Sequence, residues 1–187
     1  MMFKQFFKMF DQYINAPEIT EPKPEVVPGT KLAYNSNLIK ELTLEHKKIL
    51  TLYTSIADLL DKGDYQSIQK QLKVFASALR SHLLKENLKL YVYLTCALAR
   101  DTENLEIMTE MRREMGRIGR AVNQFLSRYT EPVSWTREIQ QSFPGEFKQI
   151  GEVLADRIQR EEETLYSLYM PPSSYLSITE TETIECD

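Results

Sequence analysis

The feature that most constrains this chain is a long central stretch with helical periodicity and few helix breakers. No proline lies between positions 29 and 131, and the 187 residues include only six glycines. Large apolar residues in this stretch recur every three or four positions, a spacing that places them on one face of an α-helix. Leu, Glu, Lys, Arg and Gln, which favour helix, dominate the rest of it. The pattern predicts an all-α protein, and the chain is long enough to bury a proper core.

Turn signals divide the first half of this stretch into two helices. The first is predicted from about residue 37 to residue 62, and the second from about 65 to 99. Gly63 suits a C-cap because glycine tolerates the left-handed backbone that ends many helices, and Asp64 suits the next N-cap.

The second half predicts two further long helices. One is expected over 104–129. A short helix over 135–142 is expected to precede the other, with Pro144 in the first turn of that last helix, which ends near Met170. Four amphipathic helices with short links predict an antiparallel up-and-down four-helix bundle.

Segments of different character flank the bundle, which is predicted over 37–170. Residues 1–15 have the pattern of an amphipathic helix, 16–36 form a proline-rich linker, and 171–187 form an acidic tail expected to be disordered. Three roles are open for the N-terminal helix: docking onto the bundle, self-association or contact with a protein partner, and contact with a membrane surface.

Charge and cysteine content exclude several classes of protein. The net charge of −4 gives no support for a nucleic-acid surface. The two cysteines, Cys96 and Cys186, are too few for a disulfide framework. No apolar run approaches the roughly 18 residues of a transmembrane segment. We therefore expect a cytoplasmic protein.

The two halves of the predicted bundle resemble each other. The first and third helices align when the chain is shifted by 69 positions, and the second and fourth align when it is shifted by 75. Any two amphipathic helices agree in apolar phase, but the polar matches and the shared Tyr endings favour a duplicated helical hairpin. The aligned pairs include Glu45 with Glu114, His46 with Met115, His82 with Arg157, Glu86 with Glu161, Leu90 with Leu165, and Tyr91 with Tyr166.

Both histidines of the chain, His46 and His82, fall inside predicted helices. His82 and Glu86 are four residues apart, so they share a helix face and could converge on one cation in a bundle core. Imidazole with carboxylate suits iron, zinc or manganese better than calcium. By itself, however, a histidine four residues before a glutamate is more often a surface or capping pair.

The sequence EH at 45–46, followed by HLLKE at 82–86, resembles the hemerythrin-like (HHE) cation-binding family. The segments RREMGRIGRAV and RIQREEETLYSLY keep the frame of that family's second half, so the resemblance covers about 37–170. It implies a carboxylate-bridged di-iron type of site. The residues that match its metal ligands are His46, His82, Glu86 and Glu161, and the positions where a family histidine is lost are Met115 and Arg157.

The loss of two imidazoles leaves three options for the site: a metal-free core, a single iron or other transition-metal ion, and an intact di-iron centre, which is not expected. Arg157 is always charged, so it can occupy the place of a missing cation. We expect it to form an ion pair with Glu86, Glu161 or both. Met115 fits as an apolar filler, since thioether ligation would suit copper(I).

For two other groups of polar residues, a structural role is expected rather than a functional one. An arginine run on the third helix is expected to be a solvated face paired with nearby acids, the alternative being a patch for an anionic ligand or partner. Four tyrosines near the helix ends are expected in the core and at its rim. The arginines are Arg112, Arg113, Arg117 and Arg120, and the tyrosines are Tyr91, Tyr93, Tyr166 and Tyr169.

These features lead to two functional hypotheses. The first is a non-enzymatic regulatory or protein-interaction module on a hemerythrin-like bundle with a degenerate di-iron site. The second is a metal-binding protein with one retained non-haem metal that senses or handles oxygen, nitric oxide or iron. An enzyme ranks third, because the sequence contains no glycine-rich phosphate loop and no nucleophile with a plausible histidine base.

Overall fold

The computed structural model describes residues 24–131 and 135–175. Within these ranges the chain is helical, and its only extended pairing is an isolated antiparallel bridge between Val26 and Ala33. The predicted all-α helical bundle is confirmed. The predicted N-terminal helix at 1–15 and most of the acidic tail lie outside the described residues.

Five α-helices build the bundle, and turns of other helical types extend two of them. A π-helical turn over Glu86–Leu90 joins α2 to α3, so that these form one long helix. A second π-helical turn over Glu161–Leu165 and a 3-10 turn over Tyr166–Leu168 extend α5. The α-helices are α1 (Leu38–Asp61), α2 (Tyr65–Lys85), α3 (Tyr91–Ala97), α4 (Thr102–Thr130) and α5 (Arg137–Arg160).

The long helices pack in a closed cycle. Helix α1 packs on α2, α2 on α4, α4 on α5, and α5 returns to α1. In the part of the chain that the structure describes, no helix is long and apolar enough to cross a membrane.

The helix ends follow the predicted capping. Gly63 has a left-handed φ of 68°, and the Asp64 carboxylate accepts a hydrogen bond from the Ser67 backbone N–H at 3.1 Å. At the start of α4, the Asp101 carboxylate accepts from the Asn104 backbone N–H at 3.1 Å. Aspartate at the N-cap satisfies a backbone N–H that the helix leaves free. For this reason α4 begins at Thr102, two residues before the predicted start at 104.

The prediction of a separate short helix at 135–142 is wrong. Helix α5 runs without interruption from its N-cap, Thr136, and contains Pro144 in its interior. An interior proline costs about 3 kcal/mol, because it removes a backbone hydrogen bond and crowds the preceding turn. Phe143 and Phe147 are buried on either side, whereas Pro144 faces solvent. Burial of the two aromatic rings offsets the proline, and water reaches the backbone on the exposed side.

The described parts of both flanking segments pack on the bundle. In residues 24–36, Val27 is buried in the core, and the Asn35 backbone N–H donates to the Tyr169 hydroxyl at 3.0 Å. After the last long helix, Tyr175 packs against the same core. These contacts cover the end of the bundle where the chain enters α1.

The core consists of two hydrophobic clusters with a polar layer between them. On α1, Leu42 belongs to the first cluster and Ile49 to the second, and His46 lies between them. The other long helices, apart from α4, show the same sequence of apolar, polar and apolar positions. The buried polar side chains of this layer are His46, His82, Glu86, Arg157 and Glu161.

Gly151 provides a test of the packing between α5 and α1. A Cβ atom at this position would overlap the ring of Tyr53, whereas a Cβ atom at Gly145 meets open space. We expect Gly151→Ala to lower the free energy of unfolding by about 1–3 kcal/mol through overpacking. Gly145→Ala in the same helix should raise it by up to about 1 kcal/mol, because alanine favours helix. Denaturant titration followed by circular dichroism measures both, and equal effects would contradict this packing.

Candidate metal centre

Four buried side chains converge at the polar layer. His46 comes from α1 and His82 from the last turn of α2, while Glu86 and Glu161 each begin a π-helical turn. One nitrogen or oxygen atom from each lies within 4.8 Å of the corresponding atom of every other. The structure therefore brings together the four residues that match the metal ligands of the resembled family.

The distances between these atoms suit one ion. The two Nε2 atoms of His46 and His82 are 3.1 Å apart, and His46 Nε2 is 3.3 Å from Glu161 Oε2. His82 Nε2 is 3.7 Å from Glu86 Oε1. Ligand atoms at about 2.1 Å from one ion are about 3.4 Å apart around a tetrahedral ion, and about 3.0 Å (adjacent) or 4.2 Å (opposite) apart around an octahedral one. The donor set is thus close to the size that a single transition-metal ion requires.

The outer nitrogen of each histidine faces a carboxylate. His46 Nδ1 is 2.8 Å from Glu162 Oε1, and His82 Nδ1 is 3.1 Å from Glu45 Oε2. A carboxylate at Nδ1 holds the proton on that nitrogen and leaves the Nε2 lone pair free for a cation. Both imidazoles are therefore oriented as metal-binding histidines usually are.

The two π-helical turns support the predicted duplication. Glu86 and Glu161, which are 75 positions apart, occupy the first position of their respective turns. A π-helical turn adds one residue to a helical turn and commonly occurs at functional sites. The same irregularity in both halves gives both carboxylates the same position relative to the bundle.

In the second half, Arg157 occupies the position that His82 has in the first half. It is only 3% exposed. Its Nε donates to Glu161 Oε1 at 2.6 Å, and its Nη2 donates to the Tyr91 hydroxyl at 2.6 Å. Its Nη1 donates to Glu114 Oε2 at 3.4 Å. The expected buried ion pair thus forms with Glu161, and none of the described contacts joins Arg157 directly to Glu86.

The surroundings of the site are also duplicated. In the first half, Glu45 connects the site histidine to Lys85, with 2.6 Å between Glu45 Oε1 and Lys85 Nζ. In the second half, Glu114 connects Arg157 to Arg160, with 2.8 Å between Glu114 Oε2 and Arg160 Nη1. Arg157 has therefore been accommodated in a frame otherwise like that of the first half.

Met115 occupies the position of the other missing histidine. It is buried and packs in the first hydrophobic cluster, as expected of an apolar filler. Beside it lies a cavity of about 20 Å³, enough for one molecule of the size of water. The residues that line this cavity include His46, His82, Arg157, Glu161, Met115, Val122 and Leu154.

Tyr166 is a site residue that the sequence prediction missed. Its hydroxyl donates to Glu86 Oε1 at 3.1 Å and lies 3.2 Å from His46 Nε2. Tyr166 and Tyr91, expected only in the core and at its rim, are indeed buried, but each places its hydroxyl at the site of the opposite half. The sequence signal for a role of Tyr166 at the site was its alignment with Tyr91 at the shift of 75 positions.

Glu86 is held in an environment that disfavours its charge. Burial, reinforced by the charge of Glu161, raises its pKa well above the usual range, although Tyr166 and Arg157 act in the opposite direction. Its Oε1 accepts the tyrosine hydrogen bond, whereas its Oε2 has no partner among the described residues. A buried polar atom without a partner is costly unless it has a functional role.

The surroundings shift the pKa values of the two histidines in opposite directions. Burial by itself lowers the pKa of His46, but Glu161 and Glu162 outweigh that effect and raise it. Burial and the neighbouring His46 lower the pKa of His82, against the effect of Glu45. With both outer nitrogens protonated, the facing Nε2 lone pairs would repel each other. In this tautomer, a proton held by His46 or a metal ion between the two nitrogens would remove the repulsion.

A comparison with known families agrees with this geometry. A family model described as the hemerythrin HHE cation binding domain matches residues 37–169. No curated protein and no solved structure matches the chain. The matched range contains all the residues of the polar layer.

Glu86→Gln tests the electrostatics of the metal-free site. Because folding raises the pKa of Glu86, the folded state binds a proton more tightly, so stability should fall as pH rises above about 4.5. The uncharged variant should lose this fall and be more stable than the unaltered protein at pH 8, by about 1.4 kcal/mol for each pH unit over which the stability of the unaltered protein falls. Urea titrations of chelator-treated protein at several pH values measure this difference in the free energy of unfolding.

The exposed Glu163, in the second π-helical turn, offers a control. Glu163→Gln should keep the pH dependence of the unaltered protein. If Glu86→Gln also kept that pH dependence, the Glu86 carboxyl group would not be the group whose pKa is raised by folding.

Proposed function

The chain belongs to the hemerythrin HHE cation-binding family, and on that premise we propose that it binds one non-haem transition-metal ion, iron in the first instance. The observation that carries this proposal is the convergence of the facing Nε2 atoms of His46 and His82 with Glu86 and Glu161 inside a buried layer. Imidazole and carboxylate ligands together suit iron, zinc and manganese.

A cation would satisfy groups that otherwise lack partners. Glu86 Oε2 has no hydrogen-bond donor among the described residues, and the histidine Nε2 lone pairs face each other at 3.1 Å. One positive ion between them supplies what both require, and it opposes the charge of two buried carboxylates. Glu45 and Glu162 would hold the imidazoles in the metal-binding tautomer.

We propose one ion rather than two because of Arg157. Its guanidinium donates to Glu161 at 2.6 Å and carries a permanent positive charge in the second half of the site. Met115, in the other vacated histidine position, offers only a thioether. A second cation there would meet a fixed charge and lack imidazole ligands.

The small size of the site favours sensing or handling a small molecule over catalysis on a large one. A bound ferrous ion would supply an open coordination position and one-electron redox chemistry to oxygen or nitric oxide. The side chains enclose the site, and the adjoining cavity of about 20 Å³ admits only a water-sized molecule. Tyr166 would present a hydroxyl group 3.2 Å from His46 Nε2, beside the ion. We infer a non-enzymatic regulatory role in the cytoplasm, with the segment 1–15 proposed as the contact with a partner or with a second copy.

A second candidate is a metal-free interaction module. It is favoured by pairing within the protein, since Arg157 already neutralises Glu161 and His46 contacts Glu162 at 2.8 Å. In that case a proton on His46 would occupy the space between the two imidazoles permanently.

Iron stoichiometry separates the two candidates. Tag-free protein loaded anaerobically with ferrous iron and then desalted should retain about one iron per chain, and His82→Ala should retain almost none, because the loss of one imidazole leaves too few ligands. Glu163→Gln, an exposed change on the same helix as Glu161, should retain as much as the unaltered protein. Retention of no iron by the unaltered protein would support the metal-free module instead.

A double substitution tests the role of Arg157. Met115→His with Arg157→His restores both imidazoles to the second half, where Glu161 and Glu114 remain available as ligand and as Nδ1 partner. We expect the iron content to rise to about two per chain. Arg157→Met, which removes the charge without adding an imidazole, should stay near one. If the folded double variant also retained only one, the arginine would not be what excludes the second ion.

A further inference from the structure

The exposed face of α4 carries positive charge that the described residues leave unpaired. Arg113, Arg117 and Arg120 are exposed, and none has a carboxylate within 4.0 Å among the residues that the structure describes. Among the described residues these three arginines thus form no direct ion pair, although the charge of Arg117 acts on Glu114. At 100° per residue the three arginines share one face of the helix.

A shallow surface groove, lined among the described residues by α4 alone, leads to these arginines. It has a volume of about 400 Å³ and extends from the first turn of α4 to Arg113. Its lining is Thr102, Leu105, Glu106, Thr109, Glu110 and Arg113. Glu106 and Glu110 would repel an acidic segment within the groove. They do not oppose a segment that is neutral in the groove and acidic only beside the arginines.

The last described residues lie at the end of the bundle where α4 begins. Tyr175 packs against the hydrophobic cluster that includes Leu98 and Met108, which flank the beginning of α4. The pKa of Tyr175 is raised to about 12, mainly by burial, with a contribution from the charge of Asp101, the N-cap of α4. The segment that follows Tyr175 is thus attached at the same end of the bundle as the first turn of α4.

We propose that residues 176–187 dock on this face, with their acidic part on Arg113, Arg117 and Arg120. Residues 176–179 read LSIT and carry no charge, whereas the following residues contain four acids: Glu180, Glu182, Glu185 and Asp187. The neutral part would lie in the groove, and the acids would meet the arginines. This surface is separate from the metal site, so the inference does not depend on the proposed function.

The lengths of the two elements agree. Arg113 is twelve residues beyond Asp101, which is about 18 Å along a helix at 1.5 Å per residue. Residue 180 is five residues beyond Tyr175, and an extended chain spans about 3.3 Å per residue, so it reaches about 17 Å. The next seven residues can span the further distance of about 10 Å to Arg120.

A dye on Cys186 reports the contact. With Cys96→Ser as the single-label background, fluorescence anisotropy of the dye should be high at low salt, because docking restricts the segment. Arg113→Glu with Arg117→Glu and Arg120→Glu should reduce it to the value of a freely moving chain. Adding Glu180→Lys, Glu182→Lys and Glu185→Lys to that variant should restore the high anisotropy.

A matched variant guards against a general effect of charge. Lys48→Glu with Lys73→Glu and Arg80→Glu reverses three exposed charges on α1 and α2 and should leave the anisotropy unchanged. Salt should release the segment of the unaltered protein as the Debye length falls from about 10 Å at 0.1 M to about 3 Å at 1 M.

Two results would overturn the proposal. One is low anisotropy at low salt in the unaltered protein, or high anisotropy that neither the arginine reversal nor salt reduces. The other is a high value that is lost when the labelled protein is diluted, since the segment would then dock on a second copy instead of its own α4.

Discussion

The ion pair between Arg157 and Glu161 determines what the rest of the polar layer can do. The layer lies between two hydrophobic clusters, where an uncompensated charge is expensive. Two carboxyl groups, Glu86 and Glu161, are buried there with one guanidinium, so one more positive charge is needed unless Glu86 itself holds a proton. A proton on His46 or a metal ion between the two imidazoles can supply it. The geometry around His46 and His82 suits either.

The duplicated frame explains how the two halves could diverge without loss of the fold. Each half keeps a carboxylate at the start of a π-helical turn and a glutamate that binds the side chain at the histidine position. Lys85 and Arg160 hold those glutamates from the surface side in the same way. Arg157 therefore entered a site that already contained acceptors for a cation. One half retains metal-ligand chemistry, and the other has an internal cation.

Much of the fold and of the candidate site is readable from sequence, because the period, the caps at Gly63 and Asp64, and the two histidines are local or nearly local signals. Pro144 misled the prediction, because its cost is outweighed by the burial of Phe143 and Phe147, which depends on tertiary packing. The π-helical turns have no comparable local code. Glu162 follows Glu161 in a run of three acids, and the sequence suggests a solvated side chain until the fold brings it to His46.

Anomalous diffraction at the iron edge, from crystals of the protein loaded with ferrous iron, tests the central claim most directly. The account predicts one iron peak per chain, within bonding distance of Nε2 of both His46 and His82, with Arg157 still hydrogen-bonded to Glu161. Two peaks in the polar layer with Arg157 displaced from Glu161, or no peak beside the two imidazoles, would contradict it.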